Sequence, residues 1–151
     1  MTASYAEETA SQPSYTTHDA EDDARNRDIR IYVDGDIVHR DEAKVSVYDS
    51  GFLLGDGMWE AMRLNNGKWA FFDAHMDRLF AGLKAAGIKL GMDRQDVLQA
   101  LNQTAAANGM TGDAHCRLMV TRGVKLKPFQ HPSLSRSGPT IVIIVEHSKP
   151  A

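Results

Sequence analysis

Two tight turns constrain the fold of this chain more than any other feature of its sequence. Asp34-Gly35 separates two short β-rich runs in IRIYVDGDIVH, residues 29–39. Asn65-Asn66-Gly67 separates Met58–Leu64 from Lys68–Phe72 in the same way. Asp-Gly and Asn-Gly pairs favour the turns of β-hairpins because both residues tolerate positive φ angles. The sequence therefore predicts two antiparallel hairpins.

The spacing of apolar residues changes to a helical period after the second hairpin. FDAHMDRLFAGLKAAG, residues 72–87, predicts a helix with Asp73 as the N-cap and Gly87 as the C-cap. DRQDVLQALNQTAAAN, residues 93–108, shows the same period, with Asp93 as the cap and Gly109 as the stop. Two consecutive helices are therefore expected.

Three more strands complete the predicted fold. KVSV at 44–47 is expected to form a short strand between the hairpins, and His115–Thr121 and Thr140–Val145 are expected strands after the helices. The last of these reads TIVIIV, and a run of β-branched residues is typical of a central strand. This order of elements predicts a single α+β domain over residues 28–151, with a largely antiparallel sheet and two helices.

Residues 1–27 differ in composition from the rest of the chain. The first 24 residues contain six acidic residues and no Lys or Arg; the whole chain has a net charge of -3, which leaves +3 for the remainder. An acidic segment rich in Ser, Thr and Ala, without apolar periodicity, predicts a disordered tail. The weak positive charge of the remainder favours small anionic ligands over a nucleic-acid backbone.

The chain also lacks the features of a membrane or secreted protein. No apolar run approaches the roughly 20 residues of a membrane span, and the N-terminal sequence MTASYAEETASQ does not resemble a signal peptide. Cys116 is the only cysteine, so an internal disulfide is excluded, and its apolar neighbours in AHCRLMV favour a packing role over a catalytic thiol. We therefore expect a cytoplasmic protein that does not act on a membrane.

Neither a nucleotide loop nor a metal site is predicted. GFLLGDG, residues 51–57, has the spacing of neither phosphate-binding glycine motif, and its glycines are explained by positive φ or close backbone approach. The six histidines form no H-x-x-x-H pair, which gives a metal site little support.

Three arginines lie in segments that are otherwise suited to burial. Arg63 is in WEAMR, and Arg117 and Arg122 are in CRLMVTRG. A buried guanidinium needs a carboxylate, a phosphate or another structural partner. Strand alternation places Arg117 and Arg122 on opposite faces. Each arginine alone is explained by a surface or salt-bridged position, whereas together they favour a site for a small anion.

Three blocks of the sequence resemble the N-terminal domain of the class IV (fold type IV) pyridoxal-phosphate (PLP) aminotransferases. They are YDSGFLLGDGMWEAMRLNNGKWAFFDAHMDRL, RLMVTRG and TIVIIVEHSKP, and with the residues between them they cover nearly everything after residue 28. This family includes branched-chain and D-amino-acid transaminases and aminodeoxychorismate lyase. The resemblance implies transamination between an amino acid and a 2-oxo acid with PLP as cofactor, and it leaves a lyase of the same family as an alternative.

The H-x-x-R-L element, His75–Leu79, is the most specific part of the resemblance. It implies that Arg78 binds the phosphate of PLP. This would also explain why the opening turns of a helix carry cationic side chains, because the positive end of the helix dipole disfavours cations unless an anion is near. The alternative is an exposed arginine that pairs with Asp77 or another acid.

The resemblance does not select one substrate. It implies that five residues shape the substrate side: Phe52, Trp59, Arg63, Arg117 and Lys127. D-amino-acid transaminases carry an Arg-x-His pair where this chain has Lys127-x-Phe129, and a tyrosine where it has Phe52. WEAMR is close to the F-E-G-I-R of branched-chain enzymes, and Arg117 matches an arginine beside their substrate pocket, although a tyrosine two residues earlier is replaced by His115.

The resemblance assigns the catalytic lysine to a C-terminal domain that follows the last predicted strand. None of the seven lysines of this chain matches that position, so no catalytic residue is predicted here. We expect these 151 residues to represent the N-terminal half of an enzyme that is a homodimer when complete, and to be inactive alone. The rival interpretation is a non-catalytic binding or dimerisation module.

Overall fold

The computed structural model describes residues 23–149, which form one antiparallel sheet and three α-helices. The strands are β1 (Arg30–Val33), β2 (Asp36–His39), β3 (Gly57–Asn65), β4 (Lys68–Trp69), β5 (Ala114–Thr121) and β6 (Thr140–His147). The helices are α1 (Ser50–Leu54), α2 (Phe72–Ala86) and α3 (Arg94–Ala107). The strand order is β2-β1-β6-β5-β3-β4. The predicted α+β class with a largely antiparallel sheet is confirmed.

Both predicted hairpins are present. Asp34 and Gly35 have φ angles of 50° and 106° and join β1 to β2. Asn66 and Gly67 have φ angles of 48° and 72° and join β3 to β4. Positive φ at both turn residues matches the twist of the flanking strands, which is why these residue pairs are diagnostic. Strand β4 is shorter than predicted, because the backbone already reverses at Phe71, where φ is 53°.

Strand β6 lies in the middle of the sheet, as its β-branched sequence predicts. It pairs with β1 on one side and with β5 on the other. Ile143 and Val145 are fully buried on the face that the helices cover, and Ile144 is half-buried on the opposite face. A strand with neighbours on both edges cannot be solvated along its backbone, so continuous apolar character suits it.

The core lies between the sheet and the two long helices. Helix α2 packs on β3, and α3 packs on β1 and β6. The core side chains alternate along each strand with side chains on the opposite face, which no helix formed by residues 23–149 covers and which we call the open face. The core includes Met62, Leu64, Met76, Leu79, Leu83, Val97, Leu101, Cys116, Leu118, Val120, Ile143 and Val145. Complete burial of Cys116 confirms its predicted packing role.

The strand predicted at 44–47 is wrong. These residues have no regular secondary structure, and the side chains of Val45 and Val47 are 48% and 65% exposed. Alternating apolar residues form a strand only when a neighbouring strand and a core face are available to bury them. Here the segment runs along the surface between β2 and α1.

The predicted N-cap of α2 is also wrong, whereas that of α3 is right. Phe71 occupies the cap of α2 in a left-handed conformation, without a side-chain hydrogen bond, and Asp73 lies in the first turn. The tight reversal from β4 into α2 leaves no room for an extended cap residue. The side chain of Asp93 accepts hydrogen bonds from the backbone of Gln95 and Asp96, as a capping residue should.

The described residues overlap the predicted acidic tail only at 23–27, since residues 1–22 lie outside them. Ala24–Asp28 forms a 3-10 turn in which Asp23 accepts a hydrogen bond from the backbone of Arg25. Asn26 then pairs with His147, donating to its carbonyl at 3.0 Å and accepting from its backbone N–H at 2.8 Å. These contacts place residues 23–27 in the folded domain. None of the helices formed by residues 23–149 is both long and apolar enough to span a membrane.

Candidate active site

The glycine-rich segment before β3 forms a short helix and a tight turn. Asp49 caps α1 by accepting a hydrogen bond from the backbone of Gly51 at 2.8 Å, and Gly55 ends it with a φ of 66°. Gly57 lies against β5, where an added Cβ would come within 2.5 Å of the carbonyl oxygen of Val120. The segment thus uses glycine for positive φ and for close approach, as predicted.

Glu60, on β3, is the anion that accompanies the cationic start of α2. Its Oε1 accepts a hydrogen bond from Nε of Arg78 at 2.7 Å, and its Oε2 accepts one from Nη2 at 2.5 Å. Nδ1 of His75 lies 2.7 Å from Oε2. His75 and Arg78 are three residues apart on one side of α2, so both reach the same carboxylate. The partner of Arg78 is therefore an acid, though not Asp77, which pairs with Arg94.

Burial and pairing act on Glu60 in opposite directions. Its side chain is only 2% exposed, whereas that of Arg78 is 70% exposed. Burial alone would raise the pKa of Glu60, but the hydrogen bonds from Arg78 and His75 outweigh it and hold that pKa below its usual value. The same contact raises the pKa of Arg78. The carboxylate and guanidinium therefore remain a charged pair.

Sequence reasoning missed Glu60, although a signal for it exists. Glu60 alternates with Met62 and Leu64 in WEAMRL, so strand geometry turns its carboxylate toward the core. An inward-facing carboxylate requires cationic or hydrogen-bonding partners. Arg63 is the nearest cation in sequence but lies on the opposite face of β3, which leaves the cations at the start of α2 as candidates.

Trp59 and Arg117 meet on the open face. The guanidinium carbon of Arg117 lies 4.3 Å from the centroid of the Trp59 ring, the distance of a cation–π contact. Trp59 pairs with Met119 across the β3–β5 ladder, and Arg117 lies two residues before Met119 in β5, on the same face. The structure thus brings together two of the predicted substrate-side residues.

Arg63 and His115 form the next part of the same face. They are direct partners across β3 and β5, and His115 is also the partner of Glu146 on β6. Burial, Arg117 and Arg63 together lower the pKa of His115. Nη2 of Arg63 donates a short hydrogen bond to the carbonyl of Ser148. Arg63 therefore has a structural partner at the end of β6.

Phe52 lies on α1 and Lys127 in the loop after β5, and a backbone hydrogen bond joins that loop to the one before α1. Phe52 on α1 is 71% exposed, and Lys127 and Phe129 are exposed beyond the end of β5. The backbone N–H of Lys125 donates to the carbonyl of Tyr48 at 2.9 Å, which holds the two loops together. Among the described residues, no acceptor bonds to the side chain of Lys127.

Arg78 reaches β3 from the side opposite to Trp59, one of the residues predicted to face the substrate. Glu60 faces the helices and its neighbour Trp59 faces away from them. Strand β4 pairs only with Leu64 and Asn65, so within the described part of the chain the edge of β3 beside Glu60 carries no further strand.

Arg122 has a structural rather than a ligand-binding environment. It forms a two-point ion pair with Asp56 and donates to the carbonyl of Ala86 at 2.8 Å. It lies on the opposite face from Arg117, as strand alternation predicts. The three arginines that the sequence singled out therefore all have partners, but they do not form one site.

Comparison with known proteins places these features in a family. The model of the amino-transferase class IV family matches residues 57–151. Branched-chain-amino-acid aminotransferase-like protein 1 of Arabidopsis thaliana is 36% identical over 125 residues, which cover 83% of this chain and 22% of that protein. A D-alanine aminotransferase of Listeria monocytogenes is 33% identical over 104 residues, covering 68% of this chain and 35% of the relative.

Aminodeoxychorismate lyase of Bacillus subtilis is 31% identical over 121 residues, covering 80% of this chain and 41% of that enzyme. Among solved structures, a branched-chain aminotransferase of Thermoproteus uzoniensis with norvaline has a TM-score of 0.65 at 24% identity, covering 79% of this chain and 40% of that one. The branched-chain amino acid aminotransferase of Escherichia coli has a TM-score of 0.68 at 18% identity, covering 79% of this chain and 41% of that one.

These comparisons cover much of this chain but less than half of each relative. The chain spans 22% to 41% of the length of the curated relatives named above. The residues that the family model matches contain β3, α2 and the strands β5 and β6. This chain belongs to the class IV aminotransferase family, and its fold is that of the N-terminal domain of the fold type IV enzymes.

Proposed function

We propose that this chain forms the phosphate-binding and substrate-facing half of a PLP-dependent aminotransferase, which transfers an amino group from an amino acid to a 2-oxo acid. The observation that carries the proposal is the exposed guanidinium of Arg78, held against the edge of β3 by a buried carboxylate. Membership of the class IV family supports the reaction, because the named relatives include branched-chain and D-alanine aminotransferases.

The geometry of Arg78 fits a phosphate group. Glu60 uses one edge of the guanidinium, formed by Nε and Nη2, and no group within residues 23–149 accepts a hydrogen bond from Nη1. Nη2 also lies 3.4 Å from Nδ1 of His75, so Nη1 is the group whose donors remain for phosphate oxygens. PLP, when bound, supplies the electron sink that transamination requires. Arg78 contributes anchoring and orientation of that cofactor, and no proton transfer.

The substrate side is the open face beyond Trp59. The flat side of the Arg117 guanidinium packs on the Trp59 ring, so its N–H groups are available to a carboxylate. Phe52 and Trp59 supply apolar surface, and Arg63 and Lys127 supply positive charge at its margins. We propose branched or hydrophobic amino acids as preferred donors, because Lys127-x-Phe129 lacks the carboxylate-binding Arg-x-His pair of D-specific relatives.

Transamination in this family requires a lysine that carries PLP, and none of the seven lysines of this chain matches its position in the resemblance. We propose that the lysine that carries PLP lies in a C-terminal domain, that the complete protein is a cytoplasmic homodimer, and that the 151 residues alone do not catalyse transamination. Exposed side chains of Tyr48, Phe52, Leu126 and Phe129 on two adjoining loops support association with another subunit.

Formation of glutamate from 2-oxoglutarate tests this proposal. The assay compares the full-length gene product, the 151 residues alone and free PLP, each with the same amino donor and added PLP. We expect turnover by the full-length product and a rate equal to free PLP for the 151 residues. Turnover by the 151 residues well above free PLP would refute the assignment of the lysine. Absence of turnover by the full-length product, with every donor tested, would favour the non-catalytic module.

A lyase is the second candidate function. Aminodeoxychorismate lyase of Bacillus subtilis supports it, since its similarity extends over 80% of this chain. Aminodeoxychorismate as substrate separates the two functions, because a lyase eliminates part of the substrate and needs no 2-oxo acid acceptor. Product formation without any acceptor would replace the aminotransferase proposal by the lyase.

A further inference from the structure

We propose that Glu60 is a positioning residue for the cofactor, which fixes the guanidinium of Arg78 so that the donors of its Nη1 face the phosphate. This inference rests on the proposed function, and it adds a role for a residue that contacts neither substrate nor cofactor. The alternatives are that Glu60 only anchors α2 to the sheet, or that it only neutralises Arg78.

The contact between Glu60 and Arg78 sets an orientation as well as a charge. Both carboxylate oxygens are engaged, one by Nε and one by Nη2, at 2.7 Å and 2.5 Å. A two-point contact of this kind fixes the guanidinium plane, whereas a single contact would leave it free to rotate. Because Nε and Nη2 share one edge, the donors of Nη1 point away from Glu60, while Nη2 also lies 3.4 Å from Nδ1 of His75.

The carboxylate itself is held in place. Glu60 lies in the paired part of β3, opposite Leu118 of β5, and its side chain is almost completely buried. His75 engages the same oxygen as Nη2 of Arg78, at 2.7 Å, and so restricts rotation of the carboxylate. Arg78 is a long, largely exposed side chain that would otherwise populate several rotamers. A fixed acceptor therefore removes disorder before the phosphate arrives.

Charge and positioning predict opposite effects on phosphate affinity. The negative charge of Glu60 repels a phosphate, so removing it would tighten binding if charge were its only influence. Loss of the two-point contact would weaken binding if orientation dominates. Glu60→Gln separates these effects, because the amide retains one acceptor but opposes the second Arg78 donor with an N–H₂ group. Glu60→Asp keeps the charge and withdraws the carboxylate by one methylene.

The experiment measures the affinity of the full-length gene product for pyridoxamine 5'-phosphate, which has no aldehyde to react with lysines. The variants are Glu60→Gln, Glu60→Asp, Arg78→Ala and the double variant Glu60→Gln/Arg78→Ala. Glu42→Gln, at an exposed position in the turn after β2, is the matched control. Thermal unfolding of each variant identifies any that do not fold.

We expect both Glu60 variants to bind about tenfold more weakly, as loss of one ordered, rotamer-rich side chain implies. In the Arg78→Ala background, Glu60→Gln should have no further effect, because a residue that acts through Arg78 cannot act without it. Unchanged or tighter binding by both Glu60 variants would overturn the inference. So would a loss of affinity on Glu60→Gln that is equally large with Arg78 present and in the Arg78→Ala background. If Arg78→Ala binds pyridoxamine 5'-phosphate as tightly as the unmodified protein, Arg78 does not contact the phosphate and the proposed function loses its main support. If Arg78→Ala binds more weakly but the Glu60 variants bind normally, the phosphate contact is supported and only the role of Glu60 is refuted.

Discussion

Arg122 and Asp56 form a two-point ion pair that ties the end of β5 to the turn before β3. Nε of Arg122 donates to Oδ2 of Asp56 at 2.6 Å, and Nη2 donates to Oδ1 at 3.0 Å. The guanidinium also reaches the carbonyls of Ala86 and Gly87 at the C-terminus of α2. One side chain thus connects three elements around the glycine-rich turn, which lies between Phe52 on α1 and Trp59 on β3.

Arg122→Met should destabilise the fold by about 2 kcal/mol. The side chain is only 14% exposed, and its loss leaves Asp56 and two helix carbonyls without their donor. Urea unfolding measures the effect, with Arg25→Ala as the control, because the Arg25–Asp23 pair lies at the surface and should matter little. Equal stability of Arg122→Met and the unmodified protein would contradict the anchoring role.

Gly57→Ala should destabilise the protein by about 1–3 kcal/mol, as overpacking does. The new Cβ would meet the carbonyl oxygen of Val120 at 2.5 Å, and that oxygen belongs to the backbone of β5. Gly138→Ala is the matched control, because an added Cβ there meets nothing within 4 Å. If Gly57→Ala and Gly138→Ala unfold at the same temperature, β3 and β5 leave room for a Cβ at position 57, contrary to the approach described here.

The stability of the fold should fall in acid partly through Glu60. Its pKa is lower in the folded protein than its ordinary value of 4.5, so its pairing stabilises the fold above that pH. This contribution is lost as the pH falls through the lower, folded pKa. Urea midpoints measured from about pH 6 down to about pH 3 should therefore decline less steeply for Glu60→Gln than for the unmodified protein. Parallel pH profiles would show that Glu60 is not a paired carboxylate.

The full-length gene product should use L-leucine or L-valine faster than D-alanine. Lys127 can supply a positive charge, but a lysine lacks the planar fork of arginine, and Phe129 offers no donor where the D-specific pattern has histidine. Initial rates with 2-oxoglutarate as acceptor measure the preference. Faster turnover of D-alanine would contradict this assignment of Lys127 and Phe129.

Local chemistry explains the elements that could be predicted from the sequence. The two hairpins depend on turn residues that accept positive φ, and α3 begins at a side chain that caps its own helix. These signals act between neighbours in the chain, so no knowledge of the sheet is needed to use them. The central position of β6 in the sheet was predictable because β-branched residues dominate its sequence.

The missed features depend on contacts between distant parts of the chain. Val45 and Val47 alternate like a strand, yet no neighbouring strand among the described residues buries them. Glu60 and Arg78 are 18 residues apart, and only the docking of α2 on β3 makes them partners. Family resemblance indicated Arg78 as a cofactor contact but gave no information on what holds it.

The dissociation constant of pyridoxamine 5'-phosphate from Arg78→Ala, in the full-length gene product, shows whether Arg78 binds the cofactor phosphate. A charge-assisted contact to phosphate contributes about 1.5–3 kcal/mol, so binding should weaken by about 10- to 100-fold. Arg94→Ala is the control, because Arg94 pairs with Asp77 near the same end of the helices and has no proposed ligand. Weaker binding by Arg78→Ala, with Arg94→Ala unchanged, would support a contact between Arg78 and the cofactor phosphate. An unchanged dissociation constant for Arg78→Ala would contradict that contact.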